Sequence, residues 1–116
     1  MTPGLLALAR AYASLPGAPK MDPDHDGWTL ARGLFRAAPT GILWRRDGDG
    51  WLPDLTDAAT GGVMLDLLAE GGHTVCTFDS RPNRYAAMLN GHYEVYGATL
   101  AEAVARVAVA VGRAGP

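Results

Sequence analysis

Little in this sequence commits it to a chemistry. It holds one cysteine, Cys76, among 116 residues, so no internal disulfide can staple the fold. The setting of that cysteine, His73-Thr-Val-Cys-Thr-Phe78, reads as an alternating strand carrying a small, reduced, buried thiol, the pattern of a cytoplasmic chain. No apolar run approaches the roughly 20 residues of a membrane span, and the N-terminal Leu5-Leu-Ala-Leu-Ala9 has no basic segment in front of it to make a secretory signal. Ten basic residues against twelve acidic ones give a formal net charge of −2, which leaves no basic excess for phosphate backbones or anionic lipid. Nucleic acid and membrane are thus disfavoured partners. There is no G-x-G-x-x-G, no P-loop and no C-x-x-C. Cys76 could take His73 or His92 as a base, but no orienting group or oxyanion donor can be named with them. The expectation is a protein without catalytic residues, metal or cofactor.

What is present suffices for a core. With 48% hydrophobic residues, the chain reads as a single α+β domain over residues 1–116. Thr2 and Pro3 open a helix that Leu15-Pro16-Gly17 stops. Residues 16–27 are Pro, Gly and Asp-rich and read as a loop, 28–36 fit either a helix or a strand with the strand favoured, and Gly41-Ile-Leu-Trp-Arg-Arg46 reads as a second strand ended by Asp47-Gly-Asp-Gly50. Asp57 is placed to cap a central helix with Val63, Met64, Leu67 and Leu68 inward and Asp66 and Glu70 outward. Residues 73–80 alternate, and Asn90-Gly91 between apolar flanks marks a hairpin, giving three more strands. Thr99-Leu-Ala-Glu102 is a capping box opening the last helix, with Leu100, Ala103, Val104, Val107 and Val111 as its apolar stripe. The predicted order is helix, two strands, helix, three strands, helix: a largely antiparallel sheet of about five short strands packed by three helices.

Gly61 and Gly62 stand in the first turns of the central helix, where each weakens it by about 1 kcal/mol relative to alanine. With no buried strand before them they do not read as a phosphate loop. They are expected to permit close approach to a neighbouring element that a Cβ would block.

Asp22-Pro-Asp24-His-Asp26-Gly27 matches the first half of a calcium loop, but position nine is Leu30 and position twelve is Gly33, so the anionic ligands run out. The simpler reading is an acidic turn bonding to its own backbone. Trp44-Arg45-Arg46 with Trp51, and Arg81, Arg84 and Tyr85, are small basic and aromatic clusters. They read as sheet-edge packing with solvated arginines.

Several stretches together resemble a group of small tailed-phage and prophage proteins. These are the turn Leu15-Pro16-Gly17; Pro53-Asp54-Leu55, Asp57, Ala59-Thr60 and Gly61 or Gly62 at the central helix start; and Gly97-Ala98-Thr99 with Ala101-Glu102-Ala103 before the last helix. The chain departs from that pattern at Ala58, where proline is usual, and at the acidic 22–27 segment. The resemblance implies an α/β/α-type sandwich, a phage or prophage origin, and action in the bacterial host cytoplasm on a host protein or protein complex, as in inhibitors of CRISPR–Cas and other defence systems. In that reading Asp22, Asp24, Asp26, Asp47 and Asp49 mimic phosphates toward an arginine-lined groove. The alternatives are a metal- or small-molecule-binding accessory module using the same aspartates, and a phage accessory protein that self-associates as a homodimer.

Overall fold

Each helix begins at the cap its sequence supplies. The computed structural model describes residues 1–22, 24, 26–79, 84–91 and 93–116. Helix α1 spans Pro3–Ala13, with the Thr2 hydroxyl accepting the Leu5 N–H at 3.2 Å. Helix α2 spans Ala58–Glu70 with Asp57 as N-cap, and α3 spans Leu100–Val111 with Thr99 as N-cap and Gly112 in the left-handed region at its end. The capping box of α3 closes one residue early: Glu102 N–H donates to Thr99 Oγ1 at 3.1 Å, while the Glu102 carboxylate accepts the N–H of Ala98 rather than that of Thr99.

The described residues form seven strands in two antiparallel sheets, not about five in one. Strands β1 (Gly27–Ala31), β2 (Leu34–Ala37), β3 (Leu43–Asp47) and β4 (Gly50–Pro53) form a four-stranded meander in chain order; β5 (Val75–Asp79), β6 (Tyr85–Leu89) and β7 (Tyr93–Gly97) form a second, three-stranded one. The order is α-β-β-β-β-α-β-β-β-α. Two strands escape a reading of periodicity for identifiable reasons. The apparent single strand over 28–36 reverses at Arg32-Gly33, where Gly33 takes φ +78°. The segment Gly50–Pro53, too short to signal by itself, returns from the Asp47–Gly50 turn to pair with β3.

The helices connect the two sheets. α3 packs on β6 and β7, α2 lies along α3 and touches β5, and α1 joins α3 to β4. Register puts Val75, Thr77, Tyr85, Ala87, Leu89, Val95 and Gly97 on the α3 side of the second sheet. The buried core runs through Tyr12, Leu52, Leu55, Met64, Leu68, Ala87, Val104 and Val107. Val63 and Leu67, expected inside, are only half-buried.

Polar side chains tie the first sheet to α2. Asp57 accepts a two-pronged pair from Arg36 of β2, at 2.7 and 3.1 Å, and also the N–H and hydroxyl of Thr60 at 3.0 and 2.9 Å. The Thr60 oxygen in turn accepts the Leu43 N–H of β3 at 2.9 Å. Beside it Asp54, 1% exposed, takes the N–H and hydroxyl of Thr56 and pairs with Arg45 at 2.9 Å. Burial pushes both carboxyls up. The Thr56 and Arg45 bonds at Asp54, and the Arg36 and Thr60 bonds at Asp57, outweigh burial and hold both below the usual carboxylate range.

The two glycines of α2 do different things. A Cβ on Gly61 would lie 2.7 Å from the backbone N of Ala101 and 3.0 Å from Leu100 Cγ, whereas one on Gly62 would meet nothing within 4 Å. Close approach is therefore the role of Gly61 alone. Gly61→Ala is expected to destabilise the protein by about 1–3 kcal/mol through overpacking, and Gly62→Ala to stabilise it by about 0.5–1 kcal/mol; urea unfolding of the two variants checks the opposite signs. The lowered carboxyls also set an acid limit. A carboxyl lowered on folding stabilises the protein above its unfolded pKa of about 4 and loses that contribution as pH falls through the lowered value. Urea midpoints measured from pH 7 to pH 3 are expected to fall on acidification, and Asp57→Asn is expected to start lower at pH 7 and fall less steeply.

Candidate functional site

The five aspartates expected to act together are divided by the fold. Register places the start of β1, the end of β2 and the start of β3 at one end of the first sheet, and the β3–β4 turn at the other. Asp22, Asp24 and Asp26 precede β1 at the first end; Asp47 and Asp49 sit at the opposite end. The first group forms a local turn, in which Asp22 Oδ1 accepts the Asp24 N–H at 2.9 Å and the Asp26 carbonyl accepts the Ala38 N–H at 2.9 Å. Asp47 is held by Arg10 of α1 through bonds of 2.8 and 3.1 Å, and that guanidinium lowers its carboxyl. Among the described residues no three His, Cys, Asp or Glu side chains converge as metal ligands. His25, Arg81 and His92 lie outside the described residues.

The aromatic and basic residues of the first sheet turn out to be packing. Trp44 is buried in a central strand rather than at an edge. Arg46 stacks over Trp51 at 5.4 Å, Phe35 meets the same ring edge-on at 6.5 Å, and Arg45 is paired to Asp54. Recesses of about 120, 180 and 240 Å³ lie beside Ile42, Thr99 and Val109, each smaller than the roughly 300 Å³ at which small-molecule pockets begin.

The second sheet carries the feature that sequence reading missed. Cys76, expected buried, is exposed, because β5 turns Val75 and Thr77 toward α3 and Cys76 and Phe78 toward solvent. Register extends that outward face across the sheet in two rows: Phe78, Ala86 and Tyr96, then Cys76, Met88 and Glu94. Glu94 is the one charge among these six residues. Phe78 and Tyr96 are each 42% exposed, and Ala86 between them is fully covered. Tyr96 is hydrogen-bonded to Glu94, whose bond and charge push the phenol up. The outward face of an antiparallel sheet ordinarily alternates to polar residues; here it stays apolar. The signal was available in β5, where the outer pair Cys76 and Phe78 is more apolar than the inner pair Thr77 and Asp79.

No protein-family model, no curated protein and no solved structure matches this chain. Its function has to be read from its own surfaces.

The position of Cys76 is directly measurable. Its thiol is expected to react with an alkylating reagent in the native protein at close to the rate of an unfolded control, whereas a buried thiol would be protected by orders of magnitude.

Proposed function

We propose that the protein acts by binding another protein, without catalysis, through the outward face of β5–β6–β7. The observation that carries this reading is the row Phe78-Ala86-Tyr96 beside Cys76 and Met88, an apolar patch on a sheet face where Cys76, Phe78 and Tyr96 are exposed. Exposed Glu94 on the patch favours a partner surface with an apolar centre bordered by lysine or arginine. Phe and Tyr held on a rigid sheet lose little rotamer freedom on binding, which suits them as anchors.

The resemblance in residues 53–62 and 97–103 supports a finer version. In it the chain is a phage- or prophage-encoded binder acting in the bacterial cytoplasm on a host protein, of the kind that inhibits a defence complex. The acidic contribution to such binding falls to exposed Asp24 and Asp49, at opposite ends of the first sheet, since Asp47 is already paired with Arg10.

Affinity purification of the tagged protein from a bacterial host, followed by titration of the captured chain, tests the reading. Phe78→Lys combined with Tyr96→Lys is expected to weaken binding about 30-fold or more, as loss of two interface anchors does. Equal affinity of the folded variant and the parent for the same partner would overturn it.

A further inference from the structure

Strand β1 is an edge interrupted by one β-bulge and otherwise open. It closes the first sheet on one side, pairs among the described residues only with β2, and all five of its residues are exposed, Trp28 at 54% and Leu30 at 50%. Natural edges are commonly blunted by an internal lysine or proline, and Gly27-Trp-Thr-Leu-Ala31 has neither.

Read outward from Thr29, the strand is symmetric in residue type and antisymmetric in charge: Asp26-Gly27-Trp28-Thr29-Leu30-Ala31-Arg32. From this we infer that β1 is the interface of a two-fold homodimer, in which β1 of one copy pairs antiparallel with β1 of another about Thr29. In that register Trp28 lies opposite Leu30 of the second copy, Gly27 opposite Ala31, and Asp26 opposite Arg32. Each contact occurs twice, as an isologous interface requires. Asp26 and Arg32 are both exposed, and neither takes part in an ion pair among the described residues. Their pairing across the axis gives this edge a reason to prefer its own copy to an arbitrary strand.

The β-bulge between Thr29 and Ala31 adds twist to the edge. Two copies related by a two-fold axis twist alike, and two-stranded ribbons are the most twisted of β pairings, so the bulge shapes the joint rather than blocking it. The joined molecule has a continuous sheet of eight strands, β4-β3-β2-β1 from each copy. It leaves the outward face of β5–β6–β7 free on both copies, so the pairing is independent of partner binding there. An edge of this length buries less than the roughly 1,200 Å² of a stable interface, and the dimer is accordingly concentration-dependent.

Sedimentation equilibrium over a range of concentrations tests the inference. The parent protein is expected to show a monomer–dimer equilibrium. Asp26→Arg alone, or Arg32→Asp alone, turns both cross-axis pairs into like-charge pairs and is expected to weaken dimerisation about tenfold or more. The double variant Asp26→Arg with Arg32→Asp restores opposite charges across the axis and is expected to recover the parent affinity. Far-UV circular dichroism and urea midpoints confirm that each variant is folded. A protein that stays monomeric at all concentrations overturns the inference. So does a dimer indifferent to the single reversals, a double variant as weak as the singles, or a dimer lost on Phe78→Lys instead.

Discussion

A single carboxylate joins the two halves of this molecule. Asp57 holds Arg36 through both its oxygens, caps α2 through the Thr60 N–H, and accepts the Thr60 hydroxyl. Thr60 passes the connection on to β3 by accepting the Leu43 N–H. The first sheet is fixed to α2 at that point, and four residues along the helix Gly61 sets α2 against the start of α3. Because α3 carries β6 and β7 on its other side, the placement of the second sheet traces back to this carboxylate. Removing it would leave the half-buried Arg36 guanidinium only its bond to the Gly41 carbonyl and would uncap α2 as well, so its loss costs more than either contact alone.

The same logic explains the short motifs within residues 53–62 and 97–103. Asp54, Asp57 and Thr60 build the junction of the first sheet with α2, and Gly61 that of α2 with α3; the Leu55 carbonyl accepts the Thr99 hydroxyl, and Gly97 lets β7 approach α3, where a Cβ would come within 2.7 Å of the Ala103 nitrogen. These motifs specify how sheets and helices meet. The proposed binding surfaces lie at positions outside them, on the outer rows of the second sheet and along β1.

What could be read from the sequence was local. The caps at Thr2, Asp57 and Thr99 and the Asn90-Gly91 turn depend on a few adjacent residues and side-chain chemistry that a sequence displays directly. The Arg32-Gly33 reversal was missed because two flanking strands with Trp28, Leu30 and Leu34 mimic one longer element. The inside and outside of β5 were exchanged for another reason. Alternation identifies two faces but not which one meets the helix, and Cys76 with Phe78 is the more apolar pair. The division of the aspartates between opposite sheet ends depended on strand count, which local signals undercounted.

The connectivity also orders assembly. Every described strand pairs with a neighbour in sequence, so each meander closes through short loops within residues 27–53 or 75–97. Contacts of α1 with α3 and the bond from the Ala114 N–H to the Pro16 carbonyl span nearly the whole chain. The entropic cost of long-range closure is thus concentrated in one event, the packing of α1 and the loop after it against α3 and the residues that follow α3. During synthesis the first sheet and α2 emerge with no α3 to cover them. Met64 and Leu68 stay exposed until α3 is available to pack on α2, so the interval of greatest aggregation risk falls between the synthesis of α2 and that of α3.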